Sequence, residues 1–427
     1  MHNRVVITGM GVVAPNGVGL SEFTEAIRHG ISGIKHDPEL ERLGFSCQIA
    51  GKPVLSEELA AQYFTSLELK TLNSSGILYG VIAGMDAWRD AGLPIDNETE
   101  PDWNSGTIFG AGTSGIEKFR EAVYKIDELQ IRKLGSSVVA QTMASGVSAW
   151  LGGKLGLGNQ VTTNSSACAT GAESILMAYE RIKTGQATRV LAGSTSDGGP
   201  YVWGGFDAMK VCTYKHNNEP EKGSRPMSAT ASGFVPASGA GALVLESLET
   251  ALRRGAVIYA EVLGGNINSG GQRGGGTMTA PNPAAVQRCI KDALNSAGIT
   301  AGEVDLISGH LTATSKDALE IENWCVALGR SGAGFPYINS LKSTIGHCLS
   351  AAGSIESVAA VLQLRHDFIS PNINCEDPHP DILAMVDSGR IPGKMVGTEV
   401  NIVAKASFGF GDVNACVIFK KYRNGNG

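Results

Sequence analysis

Two stretches govern the reading of this chain: residues 168–182, CATGAESILMAYERI, and residues 350–364, SAAGSIESVAAVLQL. Each sets a small-residue turn ahead of a Glu-Ser pair, Glu173-Ser174 in one and Glu356-Ser357 in the other, and each continues as an apolar helix. Such an echo gains weight from what surrounds it. Working outward, residues 5–8 form a β-branched apolar run closed by Gly9 and Gly11, and residues 22–29 read as a helix ending at Gly30. A helix over 72–91 follows, then strands at 106–110, 189–193 and 239–246 and a charged helix over 248–254. A strand at 257–263 opens a second cycle, with helices over 283–297, 318–328 and 351–365, strands at 304–308 and 337–339, and terminal strands near Ile402 and Val417. The alternation predicts an α/β protein with a central buried sheet layer, its two halves spanning 1–255 and 256–427.

Composition agrees and narrows the function. At 427 residues the chain exceeds the size of one growing core. It is 42% hydrophobic and 18% charged, with 56 glycines, as suits strands joined to helices by tight turns. A net charge of −6 without runs of like charge sets aside nucleic-acid binding. No apolar stretch approaches the length of a membrane span, and no signal sequence is read ahead of the first strand. The eight cysteines are dispersed and contain no C-x-x-C pair, so neither a metal site nor a disulfide framework is expected, and a reducing cytoplasm fits.

Chemistry concentrates at three places. Cys168 lies in TTNSSACATGAES, at the start of a helix whose one face is marked by Ile175, Tyr179 and Ile182. Backbone N–H groups and the positive end of the helix dipole would favour a thiolate there, although most cysteines in such a chain are small buried hydrophobes. His310 follows an apolar strand in DLISGHLTATS, and His347 sits in NSLKSTIGHCLSAAGSIES, five residues after Lys342. Strand ends are where α/β sheets build their sites.

SSACATG, FDAM, EKGSRP, GHLTATSKDALE, LKSTIGHCLSAAG and SFGFGDVN occur in the order and approximate spacing of β-ketoacyl-acyl-carrier-protein synthases I and II, which this chain resembles from RVVITGMGVV to its last strand. VVAQTMASGVSAWL and SSACAT look more like synthase I. The resemblance implies a thiolase fold in five αβαβα layers, a homodimer with a heterodimer as the alternative, an acyl carrier protein as partner, and no cofactor beyond the phosphopantetheine that carries the substrates. It implies that Cys168 takes the acyl chain and that His310 and His347 assist decarboxylation of a malonyl group. The N–H groups of Cys168 and Phe410 match the family's oxyanion hole, and Phe410 its gate. Lys342 with Glu356 matches a supporting ion pair, Thr312, Thr314 and, less closely, Thr279 match pantetheine contacts, and Met143 lies in the segment lining the acyl pocket near the dimer interface. Arg132 and Lys133, in ELQIRKLG, are the candidates for carrier-protein docking, since carrier proteins are acidic.

Three loops depart from the family pattern: HLTATS replaces His-Gly-Thr-Ser-Thr-Pro, Asp412 replaces a glycine after the gating phenylalanine, and MSATASGFV lacks an aspartate or arginine. These departures suggest a specialised ketosynthase for a polyene or polyketide as the runner-up. A chain-length-factor-like partner would lack the nucleophile, and a thiolase acting on coenzyme A esters would carry a second active-site cysteine.

Overall fold

The computed structural model describes residues 2–95 and 100–423. Its first strand, β1 (Val5–Ala14), runs through Gly9 and Gly11 rather than closing at them. Those glycines make room for a helix. A Cβ on Gly9 would fall 2.2 Å from the carbonyl oxygen of Ala87, and one on Gly11 2.0 Å from that of Ala83, both in α1 (Ser75–Asp90).

Strands β2 (Ser105–Ala111), β3 (Val161–Thr162), β4 (Arg189–Ser196) and β5 (Gly239–Ser247) join β1 in a first group; β6 (Ala260–Ser269), β7 (Leu306–Ser308), β8 (Tyr337–Asn339), β9 (Ile402–Gly409) and β10 (Val413–Lys421) form a second. The hydrogen-bonded order is β3-β2-β4-β5-β1 and then β6-β10-β9-β7-β8. Numbered in chain order within each group and read inward from the outer edge strand, both run third, second, fourth, fifth, first. In both, the first three of that order pair in parallel and the remaining pairings are antiparallel. The groups meet where Val5 lies opposite Val262 and Ile7 opposite Ala260. The strand read at 257–263 thus begins later and runs to Ser269, because its polar end, from Gly264 onward, pairs with β10.

Helices α1 and α2 (Gly146–Leu155) cover the outer face of the first sheet, and α4 (Pro283–Ala297) and α5 (Asp317–Leu328) that of the second. Between the sheets lie α3 (Thr170–Lys183) and α6 (Ala352–His366), which completes five αβαβα layers. The sequence echo has its cause here. A Cβ on Gly171 would come 2.3 Å from the Ser354 nitrogen, and one on Gly353 2.6 Å from the Ala172 nitrogen, so the glycines at matching places in the two stretches are the point where the central helices touch. Helix α6 is buried from Ala352 to Leu364, which explains apolar character on all its sides.

This duplication places the chemistry. The connection from β3 into α3 carries Cys168, and its counterpart from β8 into α6 carries Lys342 and His347. His310 follows β7 and Phe410 follows β9. All four connections leave the carboxyl ends of parallel-paired strands, at one edge of the layers.

Candidate active site

Cys168 is buried on a tight connection in which Ala167 adopts φ +48. Side chains hold that unusual backbone. The Thr170 hydroxyl accepts the Ser166 N–H at 2.8 Å and donates to the Ala167 carbonyl at 2.7 Å, while Asn164 Nδ2 donates to the Thr170 carbonyl at 3.0 Å. Burial opposes the helix-start thiolate expected from sequence. Burial pushes the Cys168 thiol up to about 11, and the opposing pull of Lys342 and of the Phe410 and Cys168 N–H groups is smaller. Desolvation of a charged sulfur outweighs the helix end because the thiol is buried at the wall of a cavity lined in large part by apolar side chains.

His347 Nε2 stands 3.2 Å from Cys168 Sγ. The Leu349 N–H donates to His347 Nδ1 at 3.2 Å, so the proton of the neutral ring sits on Nε2 and points at the sulfur. The His310 ring packs at 82° to that of His347, with centroids 5.4 Å apart. Burial, then Lys342, holds both histidines well below their usual 6.5, so both are neutral donors or acceptors. The donor atoms of Cys168, His310 and His347 lie within 4.8 Å of one another, a spacing that a small metal ion would accept.

The HLTATS loop owes its shape to two acids that the sequence reading did not single out. Glu320 accepts the N–H groups of His310 and Leu311, each at 2.7 Å. Asp317 accepts those of Met227, Thr312, Ala313 and Thr314 at 2.9–3.4 Å. Leu311 and Ala313 can therefore hold φ +23 and +61 without glycine. Burial pushes Asp317 up to about 6 and Glu320 to about 7. The signal was present as two acids three residues apart at the start of α5.

The other departures are likewise compensated. Arg225 bonds Glu376 at 2.6 Å and Asp377 at 3.0 Å, and Ser228 also donates to Asp377, so acids from a distant loop hold the MSATASG turn. Asp412, at φ +62, accepts the Asn282 N–H at 2.8 Å and the Gln272 N–H at 3.0 Å. A Cβ on Gly270 or Gly276 would meet its Oδ2 at 2.1 or 2.3 Å. The segment bearing Thr279 is thereby fastened to the loop bearing Phe410.

A cavity of about 270 Å³ brings together Cys168, His310, His347, Thr279, Thr312, Thr314 and Phe410. Lys342 lies behind it, fully buried and paired with Glu356. That carboxylate also meets Lys405 at 2.9 Å, a second buried lysine that sequence reading missed; its only signal was a charge inside the apolar run IVAKASF. Met143 is elsewhere, on a shallow depression with Glu68, Trp150 and Lys154. Arg132 and Lys133 are exposed in a short 3-10 turn, Ile131–Lys133.

With this geometry in place, comparison with known proteins is decisive. The family model for the β-ketoacyl synthase N-terminal domain matches residues 2–251, and that for the C-terminal domain matches residues 259–376. The chain belongs to the β-ketoacyl synthase family. It is 33% identical to 3-oxoacyl-[acyl-carrier-protein] synthase 1 of Escherichia coli over 429 residues, covering 99% of this chain and 100% of that one. Among solved structures, the ishigamide ketosynthase/chain length factor superposes with a TM-score of 0.87 at 28% identity, covering 99% of this chain and 100% of the other. A type II PKS acyl-carrier protein in complex with its ketosynthase bound to the hexaketide gives 0.86 at 30% identity, with the same coverage. The thiolase-type layering expected of this synthase is therefore present.

Proposed function

We propose that this synthase condenses an acyl group held on Cys168 with malonyl-carrier protein, losing carbon dioxide, in fatty acid or related acyl-chain biosynthesis. The observation that carries the reading is the 3.2 Å contact from His347 Nε2 to Cys168 Sγ with the ring's proton fixed toward the sulfur by Leu349. In the first half-reaction Sγ adds to the acyl thioester of the carrier, and the thiol proton leaves with the departing pantetheine sulfur. The oxyanion forms against the Cys168 and Phe410 N–H groups. In the second, His347 and His310 donate to the malonyl thioester oxygen while the carbon–carboxylate bond breaks. The enolate carbon then attacks the acyl carbonyl, and Cys168 departs as a thiolate that takes up a proton. A neutral histidine pair suits this, because an enolate needs hydrogen-bond donors and no net proton transfer to it. No cofactor is required, as the substrates arrive on phosphopantetheine.

In this reading the half spanning 1–255 supplies the nucleophile and the half spanning 256–427 the histidines and lysines. Thr312 and Thr314, at the cavity wall with Thr279, receive the pantetheine arm, and Phe410 gates the acyl pocket. The partner is an acyl carrier protein, docked near Arg132 and Lys133, and the cytoplasm is the proposed location. A second copy of the chain would lie along the open edge of β3. That edge packs on α2, where a Cβ on Gly152 would meet Val161 at 3.1 Å, and α2 also walls the depression containing Met143. Among the described residues, no helix is long and apolar enough to cross a membrane.

A specialised polyketide or polyene ketosynthase is the second reading, favoured by the rebuilt loops at HLTATS and Asp412. Mass spectrometry of Cys168 after incubation with carrier proteins bearing different acyl chains separates the two. Absence of any acyl adduct on Cys168, or its persistence in Cys168→Ala, would remove both.

A further inference from the structure

One carboxylate behind the histidines serves two ammonium groups. Glu356, on α6, holds Lys342 through Oε1 and Lys405 through Oε2, and all three side chains are within 1% of complete burial. Lys405 Nζ also bonds the Ala406 carbonyl and, at 3.1 Å, the Ser407 hydroxyl, so two of its protons are held by hydrogen bonds beside the ion pair to Glu356. It sits in a strand core, where burial pulls its pKa down and Glu356 opposes that pull, a placement that is costly unless it returns something. Glu320, the next carboxylate in reach of its charge, is engaged by the His310 and Leu311 N–H groups. The cluster therefore carries two positive charges against one negative.

Its position matters as much as its charge. Lys405 lies on β9, the strand that continues into Phe408, which packs on His310 at 6.2 Å, and into the Phe410 N–H. Glu356 lies on α6, and Lys342 begins the segment that ends in His347. A single carboxylate thus ties β9, which carries Phe408 that packs on His310 and leads into Phe410, to α6 and to the segment that ends in His347.

We propose that Lys405 is a positioning residue for the condensation, registering β9 against α6 through Glu356 and giving the buried cluster the net positive charge that offsets the enolate forming in front of it. The inference rests on the reaction assigned in the preceding subsection. Lys405 does not line the cavity, so it acts through its neighbours and its field. Lys405 is also one of the charges holding both rings neutral. His310 is faced by Lys342, His347 and Lys405, and His347 by Lys342 and Lys405.

Lys405→Met tests this with two readouts. Methionine keeps the length, and Glu356 keeps Lys342 as its partner. The expected result is a kcat for carbon dioxide release from malonyl-carrier protein lower by roughly ten- to a hundredfold, with KM within about twofold of wild type. In protein carrying 15N-labelled histidine, NMR titration without substrate should show His310 and His347 protonating at higher pH than in wild type. If the methionine variant does not fold, Lys405→Gln, which can still bond Ser407, is read in the same way. A kcat within about twofold of wild type, or histidines that titrate as in wild type, overturns the proposal. Wild-type protein that released no carbon dioxide would instead end the assigned reaction, while the histidine titration would still decide whether Lys405 sets the charge of the site.

Discussion

Replacing His347 by Ala removes the donor aimed at the reacting centre and leaves the rest of the oxyanion machinery in place. Its Nε2 proton lies along the 3.2 Å vector to Cys168 Sγ, and the ring packs against Phe234 and His310 with Leu349 on its Nδ1. Loss of one preorganised donor in such a setting costs about a hundred- to a thousandfold in rate, or about 2.7–4 kcal/mol. That loss should fall on carbon dioxide release from malonyl-carrier protein. Formation of the acyl-enzyme should drop by less than about tenfold, because its oxyanion is held by backbone N–H groups that the substitution does not touch. A second cost is structural: the buried Leu349 N–H loses its acceptor, worth about 1–3 kcal/mol, so thermal unfolding must be followed alongside the rates. The assay measures covalent acylation of Cys168 by mass spectrometry and carbon dioxide release separately on the same preparation. Equal losses in the two half-reactions, or undiminished decarboxylation in a folded variant, would refute the division of labour between thiol and histidines.

Three further outcomes follow from the same geometry. Because burial holds the Cys168 thiol near 11, its alkylation by iodoacetamide should quicken about tenfold per pH unit from neutrality upward, and a plateau below pH about 9 would mean that the thiol is already ionised at rest. Asp412→Ala should loosen the segment around Thr279 by about 2 kcal/mol, as two backbone N–H groups lose their acceptor, which limited proteolysis cutting between 270 and 282 and a raised KM for the carrier-bound substrate would report. Changing Arg132 and Lys133 together to Glu should weaken apparent affinity for acyl carrier protein at low salt and leave thermal stability unchanged, since both are exposed; unaltered affinity would place the docking surface elsewhere.

The sequence by itself determined the order of elements and the duplication, and it singled out the groups that the proposed reaction uses. Helical and strand periods reflect which face of each element is buried, and that is a local property: the helix over 283–297 and the strand over 337–339 were legible to the residue. The motifs around Cys168, His310, His347 and Lys342 were legible because the proposed chemistry calls for those side chains on short, glycine-bearing connections. Tertiary structure decided the rest, through contacts between residues far apart in the chain. Gly9 and Gly11 read as a turn until α1 lies across them, and the ionisation of Cys168 depends on how much water the surrounding layers exclude. Lys405 could not be recognised from a single charge in an apolar strand, since its partner, Glu356, lies on another element and is drawn to it only when β9 and α6 pack. The altered loops looked like losses in one dimension. In three, Asp317 and Asp412 supply acceptors to the loops' backbone, because a backbone N–H needs an acceptor within reach in space and is indifferent to where in the sequence it comes from.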